Sequence, residues 1–313
     1  MQTSRTRALG AVAALFVSAL AVGATPGTAT GASGTAGGGV AVADRATTSA
    51  AADRVEDYWT AKRMRTAKTP ERPSAATAAD APVARGAEQR VGPKKPGGGP
   101  VPMASTTATT GKVFFTLGGT NYVCSGAATS SSNRDVVTTA GHCVKDGSGA
   151  WATNWAFVPA YNNGSRPYGT WTARTLVTTS AWASSGNINY DGGFAVMNTL
   201  GGQHLTDRVG GQGIAFNLAR GLYYNAYGYP AAPPFNGETL KSCSGTATND
   251  VWGGTQSQSI PCNMTGGSSG GPWLTGSTIN SVNSFGYSGV PNRMFGPYFG
   301  SAIQSAYNTA ATR

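Results

Sequence analysis

Three short stretches of the sequence contain the residue types needed for nucleophilic catalysis. They read TTAGHC around His142, NYDGGFAV around Asp191 and GGSSGGP around Ser269, in that order along the chain. A serine hydroxyl is a poor nucleophile until a base removes its proton, and an imidazole has a pKa suited to this task near neutral pH. A buried carboxylate can fix the imidazole tautomer and stabilise the imidazolium ion. We therefore predict Ser269 as the nucleophile, His142 as the base and acid, and Asp191 as the residue that orients the histidine.

The glycines around Ser269 point to the same chemistry. They let the backbone turn so that two N–H groups can face one point, where they receive the negative charge of a tetrahedral intermediate. We predict that these donors are the N–H groups of Gly267 and Ser269.

Asp191 is the least constrained of the three choices. Four other aspartates were considered for the same role: Asp135, Asp146, Asp207 and Asp250. Asp191 is preferred because it precedes a strand-like run and lies midway between the other two motifs, whereas the first two alternatives are only a few residues from His142. The second histidine, His204, has no motif around it, so we interpret it as a surface or loop residue rather than a substrate-binding one.

The segments that must position these residues are short and β-prone. From about Gly111, runs rich in β-branched and aromatic residues are separated by Gly, Asn, Ser and Pro. The candidate strands are 113–117, 122–124, 136–139, 155–159, 170–177, 193–197, 223–229 and 279–285. One short helix is predicted near the C-terminus, over 298–309. About 200 residues in this style predict an all-β fold that suits two packed barrels.

The N-terminal third has the character of a leader. Arg5 and Arg7 precede an apolar run at 8–22, followed by small residues, so residues 1–24 are predicted to be a secretory signal peptide, with Ala32 as a second cleavage candidate. Residues 25–110 are predicted to be a pro-region. It is mostly disordered, because it is rich in Gly, Ala, Thr and Pro, with one short helix near 53–65 that could dock on the mature domain or be part of a passive linker.

Charge and composition indicate which classes of partner to expect. The net charge is +10, but only 12% of residues are charged, and residues 111–313 have no basic cluster interleaved with aromatic side chains. We therefore expect no nucleic-acid partner. The run at 8–22 is short for a membrane span, and no later segment is longer, so we expect no stable membrane anchor and an extracellular location.

The four cysteines fit an oxidising compartment. They allow three disulfide connectivities, of which Cys124–Cys143 with Cys243–Cys262 is the local solution. The chain has two histidines and no Cys-x-x-Cys motif, so we expect neither a metal site nor another cofactor.

The histidine and serine motifs together resemble those of the trypsin/chymotrypsin superfamily of serine peptidases. The spacing and glycine content are most similar to its bacterial secreted members, including the glutamyl endopeptidase branch, over about residues 111–313. This resemblance implies two packed six-stranded antiparallel Greek-key barrels with the site between them. It also implies that Cys124–Cys143 pins the histidine loop.

Two departures from the family bear on activation and specificity. The position before the nucleophile is Ser268 where the family often has an aspartate that pairs with a new N-terminus, so we expect activation by removal of the pro-region. The glutamyl enzymes generally present a histidine where this chain has Asn283, which puts glutamate specificity in doubt.

The resemblance also places a substrate pocket. Its walls would be Asn263, Met264 and Thr265 on one side and Ser284, Phe285 and Gly286 on the other, with the second segment pairing with substrate as an added strand. Asn263 is neutral, which disfavours cleavage after Lys or Arg.

These observations predict a secreted, monomeric serine endopeptidase acting on proteins or peptides and made as a pre-pro precursor. The pro-region would act as its inhibitor or folding aid. Two alternatives stay open: a catalytically silent extracellular binding protein on the same fold, and an esterase that uses the same triad.

Overall fold

The computed structural model describes residues 38–70, 82–101 and 103–313. The predicted signal peptide at 1–24 lies outside these residues. No helix in the described part of the chain is both long and apolar enough to cross a membrane.

Strands dominate the described residues. In chain order they are β1 (Val40–Asp44), β2 (Gln89–Val91), β3 (Thr110–Leu117), β4 (Thr120–Thr129), β5 (Val136–Thr139), β6 (Thr153–Pro159), β7 (Trp171–Thr179), β8 (Gly193–Met197), β9 (Gly213–Phe216), β10 (Tyr223–Gly228), β11 (Lys241–Thr246), β12 (Thr248–Asn249), β13 (Gln258–Pro261), β14 (Pro272–Thr275), β15 (Thr278–Val282) and β16 (Arg293–Gly296). The helices are α1 (Ser49–Tyr58), α2 (Ala61–Thr66), α3 (Thr106–Thr109), α4 (Ser180–Ser185), α5 (Leu205–Val209) and α6 (Ser301–Ala311), with short 3-10 turns at Gly141–Cys143 and Ile188–Tyr190.

Six strands close into a barrel. The ring runs β3-β4-β5-β8-β7-β6, and it closes because β6 also pairs with β3. Its interior is filled by fully buried side chains such as Val113, Phe157, Leu176 and Phe194. Each such side chain contributes about 1.5–3 kcal/mol on burial, so the barrel is a stable frame for the loops that leave it. This confirms the predicted all-β fold.

The strands that follow form two further sheets. One has the order β11-β10-β14-β15-β9-β2, and the other is β12-β13-β16. Most pairs are antiparallel, but β15 and β9 run parallel. The predicted C-terminal helix is present as α6, but it begins at Ser301 rather than at 298. Tyr298 and Phe299 are buried in the core, and the Gly300 N–H donates to the Tyr298 carbonyl in a tight turn just before the helix.

The leader is more ordered than the sequence analysis expected. The helix predicted near 53–65 is present as α1 and α2, which are separated at Trp59 and Thr60. Strand β1 pairs with β7, and β2 pairs with β9, all antiparallel. These segments order because their backbone groups find partners on exposed strand edges of the domain, so they need no apolar core of their own.

The barrel brings the first two motifs together. Strand β5 leads directly into the turn that carries His142, and Asp191 directly follows the turn before β8. Because β5 and β8 are neighbours, with Thr139 opposite Gly193, the two loops leave the same end of the barrel side by side. Ser269 lies in the connection between β13 and β14.

Candidate active site

The histidine and aspartate predicted from the motifs are hydrogen-bonded to each other. His142 Nδ1 lies 2.7 Å from Asp191 Oδ2, and the His142 backbone N–H donates to Oδ1 at 2.8 Å. Ser284 Oγ donates a third hydrogen bond to Oδ2 at 2.5 Å. The Asp191 side chain is completely buried, and these donors replace the water that its carboxylate has lost. With Nδ1 bonded to the carboxylate, the other ring nitrogen is the one left to accept a proton.

Glycines allow this close approach. A Cβ on Gly141 would lie 2.9 Å from Asp191 Oδ1, and one on Gly193 would lie 2.5 Å from the carbonyl oxygen of Ala140. A Cβ on Gly192 would touch Ile303 of α6 at 3.0 Å. The two glycines after Asp191 therefore fit the tight packing of this loop against its neighbours.

Ser269 lies against the histidine loop. Its carbonyl oxygen accepts from the Ser125 N–H at 2.7 Å and lies 3.8 Å from Cys143 Sγ. A Cβ on the next residue, Gly270, would collide with Thr139 Oγ1 at 2.1 Å, so only glycine fits there. His142 Nε2 is buried and has no hydrogen-bond partner among the described residues, which leaves it available to a reacting hydroxyl.

The backbone before Ser269 has the turn that the motif predicts. Gly267 has a φ of +92°, and a Cβ there would lie 2.8 Å from the carbonyl oxygen of Tyr229. Both features require glycine. Within the described residues, the N–H groups of Gly267 and Ser269 donate to no other protein group.

The predicted pocket residues divide into two groups. Asn263, Met264, Thr265 and Gly286 line a cleft of about 430 Å³, together with Pro234, Gly266, Tyr287 and residues 290–293. No carboxylate belongs to this lining, and its one charged residue is Arg293.

The other two predicted residues support the cleft from outside. Ser284 is bonded to Asp191, and Phe285 is fully buried in a cluster with Phe295 and Trp182.

A loop that the sequence analysis did not assign braces the pocket wall. Tyr287 Oη donates to Asp250 Oδ2 at 2.6 Å, and Thr255 Oγ1 donates to the same oxygen at 2.7 Å. Burial acts to raise the pKa of Asp250, but these hydrogen bonds and two from backbone N–H groups outweigh it and hold the pKa below its ordinary value. Burial and the neighbouring carboxylate raise the pKa of Tyr287.

The remaining aspartates belong to other parts of the fold. Asp135 is buried and accepts from His204 Nδ1 at 2.8 Å and from Arg174 Nη1 at 3.2 Å, so His204 is a partly buried structural partner. Asp207 pairs with Arg134 at 2.8 Å. Of the five aspartates considered, Asp191 is the one bonded to His142.

Both local disulfides are present. Cys124–Cys143 joins β4 to the histidine turn, and Cys243–Cys262 joins β11 to the residue before Asn263. The sulfurs of the first lie near His142, but a disulfide offers no thiolate to a metal ion.

Residues 68–70 of the predicted leader, here called the strap, lie next to this site. The Lys68 N–H donates to the Asn121 carbonyl at 2.9 Å, and the Val123 N–H donates to the Lys68 carbonyl at 2.8 Å. Thr69 lies so close to Gly266 that a Cβ there would be 3.1 Å away.

Beside this strap lies a second cleft, of about 420 Å³. It is lined by Pro70, Leu117, Gly118, Thr120, Tyr122, His142, Asp146 and Ala150.

Sequence reasoning did not find Asn283, Ser125 or Asp250 as parts of the site. They are buried polar residues, and each bonds a group of the site that lies 15 to 142 residues away along the chain. These groups are Ser268 for Asn283, Gly267 for Ser125 and Tyr287 for Asp250. None has a local motif, so a single sequence carries no signal for them.

Several solved structures are similar to this chain in sequence and shape. The protease Anisep from Arthrobacter nicotinovorans is 58% identical, with a TM-score of 0.65, over 67% of this chain and 99% of that one. The thermostable serine protease AL20 from an extremophilic microorganism is 52% identical, with a TM-score of 0.64, over 66% of this chain and 98% of that one. A Glu endopeptidase shares the fold at 20% identity and a TM-score of 0.54, over 74% of this chain and 100% of that one.

No protein-family model matches the chain. A curated extracellular metalloprotease of Bacillus subtilis (strain 168) is 36% identical over 66 residues, which is 21% of the length of each protein.

Proposed function

Since the chain belongs to the trypsin/chymotrypsin superfamily of serine peptidases, we propose that it is a secreted endopeptidase acting through Ser269, His142 and Asp191. The observation that carries this proposal is the buried His142–Asp191 pair, whose Nε2 has no hydrogen-bond partner among the described residues. The turn that holds His142 is in contact with the glycine-rich loop of Ser269 through Cys143. Its substrates would be proteins or peptides, and the chemistry needs no cofactor.

The geometry supports a two-step reaction. Ser269 Oγ attacks the peptide carbonyl carbon while His142 Nε2 takes the hydroxyl proton, and the carbonyl oxygen becomes an oxyanion facing the N–H groups of Gly267 and Ser269. His142 then gives the proton to the leaving amine as the C–N bond breaks, which leaves an acyl-enzyme. Water then attacks the ester carbonyl carbon while His142 takes a proton from it, and His142 returns that proton to Ser269 Oγ as the ester C–O bond breaks and the carboxylic acid product leaves. Asp191 stabilises the imidazolium in both steps.

The cleft of Asn263, Met264, Thr265 and Gly286 would receive the side chain before the scissile bond. A Lys or Arg side chain would find no carboxylate there and would approach Arg293, so we propose that neither is preferred. The backbone of 284–286 would pair with the substrate as an added strand.

The contacts of the leader support a role for it as an inhibitor. Lys68 occupies backbone groups of β4 beside the second cleft, which His142 lines, and Thr69 covers Gly266 next to the proposed oxyanion donors. Buried contacts anchor this strap, since Trp59 is 1% exposed and Met64 is 3% exposed. We propose that the precursor is held inactive until the leader is removed.

We propose that the precursor has three parts. Residues 1–24 would direct export, 25–110 would be the pro-region, and 111–313 would be the active, monomeric domain. The matched proteases cover 66–67% of this chain, close to the share that 111–313 makes up. The two disulfides fit an extracellular location.

The test is cleavage of a denatured protein by leader-free wild type and by Ser269→Ala, with new N-termini mapped by mass spectrometry. We expect cleavage by the wild type alone, with few cuts after Lys or Arg. Ester hydrolysis without any peptide cleavage would favour an esterase, and the absence of both would favour a silent binding protein. A dominant preference for cleavage after Glu would show that the argument from Asn283 is wrong.

A further inference from the structure

The carbonyl groups before the oxyanion donors are held by specific partners. The Gly266 carbonyl accepts from the Ala231 N–H at 2.7 Å. The Ser268 carbonyl accepts from Asn283 Nδ2 at 3.0 Å. In a planar trans peptide the C=O and the following N–H point in opposite directions, so holding one fixes the direction of the other. Ala231 therefore sets the Gly267 N–H, and Asn283 sets the Ser269 N–H.

The Asn283 side chain is itself held in one orientation. Its Oδ1 accepts from Trp273 Nε1 at 2.8 Å, and its Nδ2 also donates to the Tyr227 carbonyl at 2.8 Å. An indole N–H can only donate and a carbonyl can only accept, so the reversed amide would face mismatched partners on both sides. Asn283 is completely buried, and this amide is fully paired.

Within the described part of the chain, neutral groups alone bond to the residue before the nucleophile. Ser268 Oγ donates to the Thr265 carbonyl at 2.7 Å, and the Ser268 carbonyl accepts from Asn283 and from the Gly271 N–H. No ion pair therefore has to form before the loop takes its shape.

Resting on the proposed function, we propose that Asn283 is a positioning residue, which aims the Ser269 N–H at the oxyanion through the Ser268 carbonyl. The same contacts explain why Asn283 does not contribute to the substrate pocket: its amide faces the nucleophile loop and is absent from the pocket lining. Asn283 thus tunes the rate of the chemical step and leaves substrate binding almost unchanged.

The test compares leader-free wild type with Asn283→Ala. The probes are a fluorophosphonate, which reports the rate of phosphonylation, and p-nitrophenyl acetate. The burst of p-nitrophenol, measured over a range of ester concentrations, gives the acylation rate constant and the dissociation constant of the ester separately. Losing one oxyanion donor typically costs about 10²–10³ in rate, so a misdirected donor should slow acylation and phosphonylation about 10–100-fold. The dissociation constant of p-nitrophenyl acetate should stay within about threefold.

Asn280→Ala is the matched control. Asn280 is also buried, lies in β15 three residues earlier, accepts from Tyr224 Oη at 2.7 Å and donates to the Ala215 carbonyl at 2.8 Å. It has the same chemistry but does not touch the nucleophile loop, so both of its rates should stay near those of the wild type at a temperature where all variants are folded.

Trp273→Phe is a second variant, which keeps an aromatic ring in the core and removes the N–H donor that orients Asn283. It should slow both reactions about 3–10-fold, and it carries the test if Asn283→Ala does not fold. Equal rates in wild type and folded Asn283→Ala, or an equal loss in Asn280→Ala, would overturn the positioning role while leaving Ser269 as the nucleophile. A wild type that is not labelled at Ser269 would overturn the proposed function as well.

Discussion

Ser284 and His142 share one oxygen of Asp191. Ser284 Oγ donates to Oδ2 at 2.5 Å, and His142 Nδ1 lies 2.7 Å from the same atom. Ser284 belongs to the segment that is predicted to pair with substrate, so the carboxylate is bonded to that predicted segment as well as to the histidine.

Ser284→Ala should lower kcat at least about tenfold, because a hydrogen bond to a charged carboxylate contributes about 1.5–3 kcal/mol and this one helps to hold Asp191 in place. Steady-state kinetics on the leader-free protein would measure it. Ser281→Ala is the control, since Ser281 is equally buried but donates to the Pro297 carbonyl at 2.9 Å. A loss of activity in the control alone would contradict this assignment.

Lys68→Pro should make the precursor more reactive. Proline lacks the N–H that donates to the Asn121 carbonyl, and the extended conformation of Ala67 accommodates a following proline. Loss of about 1 kcal/mol of docking energy predicts phosphonylation about fivefold faster in the precursor. Lys68→Ala keeps both backbone hydrogen bonds and should react like the wild-type precursor. Equal reactivity of the precursor and the leader-free protein would show that the strap does not inhibit.

Tyr287→Phe should lower the free energy of unfolding by about 1–2 kcal/mol at pH 7, because the Asp250 carboxylate loses a donor. The pKa of Asp250 is held below its ordinary value of 3.8 in the folded protein. Its hydrogen bonds therefore stabilise the fold above that value, and the contribution is lost as the pH falls through the lowered folded pKa. Urea unfolding of the leader-free protein at several pH values should show the difference between wild type and variant shrinking below about pH 4.

Tyr223→Phe is the control for this series, because Tyr223 is 55% exposed. It should leave the unfolding free energy unchanged at every pH. A Tyr287→Phe effect that stayed constant down to low pH would show that packing, and not the carboxylate, is responsible.

The two disulfides should have similar effects on stability and different effects on activity. Each closes a separation of 19 residues, so replacing either pair by serines should cost about 3 kcal/mol of unfolding free energy. Only Cys124–Cys143 joins the histidine turn to β4 beside Ser269. At temperatures where both variants are folded, kcat should fall more in the Cys124→Ser/Cys143→Ser variant. A larger loss of kcat in the Cys243→Ser/Cys262→Ser variant would contradict this placement.

The sequence was sufficient for those parts of the site that are local. In TTAGHC and GGSSGGP, the reactive side chain and the glycines that its backbone conformation needs lie within a few residues of each other. Asp191 could be chosen because it precedes a predicted strand, β8, which pairs with β5. The fold class followed from many short β-prone runs, since their alternation with turn residues is a local property.

The rest depended on contacts between distant segments. Asn283 is 15 residues from Ser268 in sequence, and nothing in the residues around it indicates that its amide turns toward the nucleophile loop. Within residues 38–70 the sequence predicted only the short helix near 53–65. The pairing of β1 and the burial of Trp59 and Met64 were missed for a similar reason, since they depend on contacts that the domain supplies.

Site-mapped labelling of the leader-free protein with a fluorophosphonate tests the central claim most directly. We predict one label, on Ser269, formed at a rate that falls by at least about 10³ in His142→Ala, because the hydroxyl then has no base. A label on another residue, or labelling of Ser269 that is equally fast without His142, would contradict the account.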